Sequence, residues 1–393
     1  MERNIRIAYI LAFFKNSWFW LGIWVFYYLR FTNYAGIGII ETVHIGFTTL
    51  SEIPTGAFAD LLGKKYTLMI AFFFMAIGLV FIAIAQGLPH LIIGVILAGI
   101  GMAFYSGTYD ALIYDSLIEE KKQDTYPKII SNIGTISLLT PAICGILGGY
   151  MYTLNPSLPF FGSAIMYTLG CGFSLFLKEP KVDTVKFNFN NFLTQTKQGF
   201  HQLFKTRELV EQTILLLSVA TIIVIADEML NGILGFEFGF NGIQLSYLFA
   251  GIYIISSLVS QLTPFLLKRY GERVSLIFTG SILAVTFVMS PFAGLALGGI
   301  SLFLRNATQI MYGNISSVAI NKTTESRYRA TTLSTYNMFK NIPYVILAFF
   351  IGSLADVYSA KTVAFWLGIA TFLFVIGHIF LSLKPKKPIP ITQ

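Results

Sequence analysis

The sequence predicts an all-α polytopic membrane protein with twelve transmembrane helices, divided six and six by one long loop. Three observations predict it. Of the 393 residues, 55% are hydrophobic and 12% charged, against about 25% charged in an ordinary soluble domain. Apolar stretches of about 20 residues, the length that crosses roughly 30 Å of hydrocarbon, recur along the whole chain. The basic residues also alternate between loops: if the N-terminus is cytoplasmic, 22 of the 27 Lys and Arg fall in inner segments, Arg30 and Lys361 in outer ones, and three inside spans. Such a bias sets both termini in the cytoplasm of a cell-membrane protein. The net charge of +8 is therefore a topology signal and does not point to nucleic acid.

The spans are predicted at about 8–29, 37–58, 66–86, 91–114, 129–152, 159–177, 212–234, 243–267, 274–292, 295–319, 331–352 and 360–382. The first begins behind the basic patch MERNIR and has no small-residue cleavage site, so it reads as a spanning helix and not a removed signal. It contains Lys15. Span two contains Glu41 and His44, three residues apart on one helical face, and Glu52. Glu41 and His44 can exchange a proton near neutral pH, or Glu41 can sit in outer interfacial water. Span four carries Asp110 beside Ser106, Gly107 and Tyr109, which suits either a wet wall or a salt bridge near the inner end. Asp227 and Glu228 lie in span seven, Arg305 in span ten, Lys340 in span eleven and His378 in span twelve, the last read as a packing residue. Arg305 is too deep to snorkel, so it needs an internal carboxylate, with Asp227 or Glu228 as candidates, or an anionic ligand. Cys144 and Cys171 both fall in apolar segments, which gives neither a disulfide framework nor metal-ligand spacing.

Spans two and three are joined by SEIPTGAFADLLGKK. Gly63 supplies the backbone freedom for so short a turn, Gly56 permits close helix approach, and Lys64 and Lys65 hold the loop to the inner face. Asp60 is explained by none of these needs; a carboxylate there can hold a helix end in one state and release it in another. A weak second copy follows span eight, where Gly271 and Arg273 match Gly63 and Lys65. In span five Pro141, Gly145, Gly148 and Gly149 allow a bend and close packing. The long loop, Lys178 to Glu211, places Phe189, Phe192, Phe200, Leu203 and Phe204 near helical spacing beside bases. That pattern fits an amphipathic helix on the inner leaflet surface; a solvated linker is the alternative.

The span two–three turn resembles the signature loop of the major facilitator superfamily, G-x-x-x-D-x-x-G-R/K-R/K, and twelve spans with a central inner loop match that family over essentially the whole chain. The resemblance implies two pseudo-symmetric six-helix bundles, residues 1–177 and 212–393, joined by 178–211 and rocking about a central cavity. It implies that Gly56, Asp60, Gly63, Lys64 and Lys65 form a latch. It also implies that spans one, four, seven and ten line the cavity; each carries an ionisable residue, whereas spans three, six and nine carry none. Lys15, Glu41, His44, Asp110, Asp227, Glu228, Arg305 and Lys340 then mark a substrate or proton path. The span-five glycines resemble the antiporter motif imperfectly, and the arginine that many drug exporters carry in span four is absent. The expected function is secondary active transport by alternating access, with proton-coupled efflux of a drug-like or amphipathic compound; the alternative is proton-coupled uptake or exchange of an organic anion or other small metabolite. No P-loop and no nucleophile–base or metal cluster supports an ATPase or a membrane enzyme. No cofactor is expected, the partners are a small molecule, protons and lipid, and a monomer suffices.

Overall fold

The computed structural model describes residues 2–180, 189–324 and 329–383; within them the side chains of 52–61, 189, 191–192, 195, 256–257, 260, 329–331, 334, 378 and 380–383 are not described. The side chains of Glu52, Asp60 and His378, and the surroundings of Gly56, therefore lie outside the described residues. The described residues form helices and no strand, because a backbone in hydrocarbon must satisfy its own hydrogen bonds. Among them, seven helices are long and apolar enough to cross a membrane. Every predicted span is occupied by helix, with three departures that matter for the site.

Span one is not continuous: α1 (Glu2–Lys15) and α2 (Trp24–Tyr28) are separated by an unwound stretch. Its freed backbone groups are paired elsewhere, as burial demands. Ser163 donates to the Ser17 carbonyl at 2.8 Å and accepts from Phe19 N at 3.1 Å. Asn16 donates to the Ala12 carbonyl at 2.8 Å and to Ser137 at 3.0 Å. Span two is α3 (Tyr34–Leu62) and span three is α4 (Lys64–Ala83). Span four is split into α5 (Leu88–Tyr105) and α6 (Thr108–Glu119) at Gly107, whose φ of 60° no side-chain-bearing residue adopts readily. Spans five and six are α7 (Tyr126–Leu154) and α8 (Leu158–Ser174).

The long loop carries α9 (Phe189–Phe204). It packs against the following spans: Phe200 meets Phe339 with ring centroids 5.4 Å apart, and the Leu203 carbonyl accepts from Thr213 at 2.8 Å, while Leu193 and Phe200 stay partly exposed. Span seven starts as α10 (Arg207–Ile225), capped by Thr206, widens into a π turn at Ala226–Leu230 and resumes as α11 (Asn231–Glu237). Span eight is α12 (Gly242–Ser260), opened by a capping box of Asn241 and Gln244. A helix from Thr263 to Val288, α13, kinks at Gly271, so it carries the end of span eight and most of span nine. Spans ten, eleven and twelve are α14 (Leu295–Thr323), α15 (Arg329–Tyr358) and α16 (Ala360–Leu383).

The first six and last six spans meet along two seams, α3 against α15 and α7 against α12. The polar ties in these seams cluster toward the end of the molecule opposite the start of α1 and the finish of α16. There Asp356 accepts from Tyr34 N and Ala35 N, both at 2.9 Å, and the Tyr150 and Tyr247 hydroxyls lie 2.9 Å apart. A Cβ on Gly148 would overlap the Phe19 carbonyl, and one on Gly149 would reach the Ser246 hydroxyl at 2.9 Å. The span-five glycines thus admit the unwound part of span one on one side and span eight on the other. Gly145 faces Leu21, and Pro141 is buried within α7.

Candidate functional site

Five of the predicted path residues converge where the two halves meet. Glu41 and His44 lie about 10–15 Å below the start of α3. Glu41 is 8% exposed and its carboxylate is 3.7 Å from His44 Nδ1. It is therefore buried in protein beside its helical neighbour. Across the seam, the π turn of span seven brings Asp227 and Glu228 together. A π turn inserts one residue into the helical repeat and re-aims the side chains on it. Asp227 accepts from Gln309 Nε2 of α14 at 2.6 Å. Glu228 lies within electrostatic reach of Asp227, Glu41, His44 and Lys340. Tyr253 lies within electrostatic reach of both carboxylates of the π turn, and Tyr344 within reach of Glu41, Glu228 and Asp227. Tyr344 is fully buried and its hydroxyl has no hydrogen-bond partner among the described residues.

Lys15 and Asp110 lie apart from this cluster, nearer the end where α1 begins. Lys15 sits at the C-terminus of α1, with its ammonium 5.1 Å from the Trp18 ring and 5.8 Å from the Tyr105 ring. Among the described residues no carboxylate reaches it. Cation–π contacts of this kind hold a charge without neutralising it. Asp110 is exposed in the first turn of α6, beside Tyr105 and Tyr109. It forms no salt bridge among the described residues; the ion pair of α6 is made by Asp115 instead, 2.7 Å from Lys64 Nζ.

Arg305 departs from the sequence reading. It is 1% exposed and turned away from Asp227 and Glu228 toward α13. Its Nη2 donates to the Thr286 carbonyl at 2.8 Å and to Ser290 Oγ at 2.7 Å, and its Nη1 to Asn231 Oδ1 at 3.5 Å. The guanidinium lies 4.2 Å from the Phe287 ring centroid. Neutral oxygens and an aromatic face take the place of the carboxylate or anionic ligand that its depth predicts. Asn231 closes the π turn, so Arg305 braces the segment that carries Asp227 and Glu228.

The turn after α3 is built as its glycine spacing suggests. Gly63 has φ 84°, and α4 starts at the next residue. Glu179, not foreseen from the sequence, caps α4: its two carboxylate oxygens accept from Lys64 N at 2.7 Å and Lys65 N at 2.9 Å. Lys64 then ties the turn to Asp115 of span four. In the second half the same tie recurs with its charges exchanged: Glu272, next to Gly271 with φ 74°, binds Lys322 of span ten at 2.9 Å. The signal for both was available as opposite charges at the inner ends of spans four and ten, but pairing them needed the turn geometry. Lys65 stacks near Tyr66.

Comparison with known proteins agrees with this arrangement. The family model described as Major Facilitator Superfamily matches residues 6–347. The multidrug resistance protein MdtL of Shewanella sp. (strain ANA-3) is 22% identical over 253 residues, 64% of this chain and 61% of that protein. The chain thus aligns with about three-fifths of that relative's length. The lactose permease of Klebsiella oxytoca is 21% identical over 376 residues, 90% of this chain and 88% of the permease. Among solved structures, a mutant of the nucleoside transporter NupG superposes with a TM-score of 0.81 at 18% identity, covering 96% of this chain and 99% of that one. At such identity the likeness concerns the fold. A family match over most of the length, on an all-helical architecture, decides the classification: the chain belongs to the Major Facilitator Superfamily.

Proposed function

We propose that the protein exports a cationic or amphipathic, drug-like compound across the cytoplasmic membrane by proton-coupled alternating access. The observation that carries this reading is the cluster of Glu41, His44, Asp227, Glu228 and Lys340. It holds three carboxylates against one lysine and one imidazole, and its members come from both halves of the molecule. In this reading a proton taken up by one member changes the charge that its neighbours across the seam meet. The bases that would favour an anion are largely committed elsewhere: Arg305 is sequestered by α13 and Lys340 faces Asp227 and Glu228. The path is left with acids and aromatic faces, a lining suited to a cation. In this reading residues 1–177 and 212–393 are the rocking units, 178–211 joins them, both termini are cytoplasmic, and a monomer is sufficient.

Lys15, without a carboxylate partner among the described residues, favours a second reading: proton-coupled uptake or exchange of an organic anion or other small metabolite. Counterflow in proteoliposomes separates the two. Saturable, protein-dependent exchange of ethidium that organic anions do not inhibit is the expected result. Exchange of benzoate or lactate alone selects the second reading, and no flux above protein-free vesicles for any probe defeats both.

A further inference from the structure

The turn between α3 and α4 has a close copy at the other end of the molecule. Gly56-Ala57-Phe58-Ala59-Asp60 ends α3, and Gly352-Ser353-Leu354-Ala355-Asp356 ends α15, with glycine, alanine and aspartate in register. Three residues after each aspartate the backbone turns left-handed, at Gly63 with φ 84° and Ser359 with φ 77°. The next helix begins at once in both places, α4 at Lys64 and α16 at Ala360, and its second residue is a lysine. Each new helix is then capped by a glutamate with both oxygens: Glu179 on α4, and Glu237 on α16 through Ala360 N at 2.8 Å and Lys361 N at 2.9 Å. Sequence, backbone and capping agree, although one turn lies at the end where α1 begins and the other at the opposite end.

The second copy is engaged across the two halves. Both carboxylate oxygens of Asp356 accept from the first turn of α3, at Tyr34 N and Ala35 N. These are among the four N–H groups that a helix start leaves unpaired, and a carboxylate there gains from charge assistance and the helix dipole together. Gly352 allows the approach, because a Cβ on it would overlap the Tyr34 carbonyl. Gly38 meets the Ala348 carbonyl one turn further along the same seam. The contact requires all of these features, and it joins the first half to the second at the end remote from the chain ends.

We propose that Asp356 is a latch that holds this remote face closed, and that its release from α3 is a step in opening the path to that side. The proposal rests on alternating access, and the test separates the two. Spin labels at Leu154→Cys and Phe292→Cys, both well exposed near the remote end on opposite halves, report its opening in nanodiscs, in a background with Cys144→Ala and Cys171→Ala. Asp356→Ala is expected to raise the ratio of long to short distances about tenfold, the size of a lost charge-assisted helix cap. Gly352→Ala should shift the same ratio in the same direction by steric separation, and it decides the matter where Asp356→Ala does not yield monodisperse protein. Unchanged distances in the folded variants, with ethidium flux intact, overturn the latch and leave transport standing. A fixed short distance in wild type and variants alike, with no flux for any probe, overturns the transport reading and the latch with it.

Discussion

At the scale of the residue, depth in the membrane identifies which charges matter but not whom they meet. Glu41 and His44 were paired by their helical spacing, and the structure places them 3.7 Å apart. Arg305 shows the limit of that reasoning. A carboxylate is one way to stabilise a buried guanidinium; four hydrogen bonds to neutral oxygens of Thr286, Ser290 and Asn231, with an aromatic face beside them, are another. Thr286, Phe287 and Ser290 look like ordinary span-nine residues in the sequence, so nothing marked them as its partners. Lysine cannot reproduce the planar fork. Arg305→Lys should therefore cost about 2–3 kcal/mol of stability, the penalty for leaving buried acceptors unpaired, read as a lower thermal midpoint in detergent. An unchanged midpoint would mean that the bracing of the π turn is unimportant.

At the scale of the element, hydropathy and length made the twelve segments legible because hydrocarbon leaves a helix few alternatives. The interruptions were not legible. The unwound part of span one contains no proline; it depends on Ser163 and Asn16, residues whose roles emerge only from packing. The π turn at Ala226–Leu230 has no composition that distinguishes it from α-helix, yet it brings Asp227 and Glu228 into the cluster. The glycines of span five were legible as small residues, while their purpose, to admit the Phe19 carbonyl and Ser246, was not. That purpose gives a matched pair of substitutions on one helix. Gly148→Ala should lower the thermal midpoint by several degrees, because its Cβ collides with backbone. Gly134→Ala meets nothing within 4 Å and should leave the midpoint unchanged or slightly raised. Equal effects at both positions would remove the close-packing argument.

At the scale of the whole molecule, two helical halves are tied together near one end by Asp356, the Tyr150–Tyr247 pair and the α3–α15 seam, with a carboxylate-rich cluster below those ties. The six-and-six division is read from the one long loop between spans six and seven. Spans two, seven and eleven supply the cluster, whereas the resemblance implies a cavity lined by spans one, four, seven and ten; the charges themselves are legible in the sequence, their order in space is not. The central claim is that this cluster couples protons to substrate, and Glu228, which reaches partners in both halves, is its most connected member. The most direct measurement is ethidium accumulation in proteoliposomes with an imposed pH gradient, wild type against Glu228→Gln. Gradient-driven accumulation in the wild type, with Glu228→Gln keeping exchange but losing the response to the gradient, is the predicted result. Gradient-driven accumulation undiminished in Glu228→Gln would contradict the account.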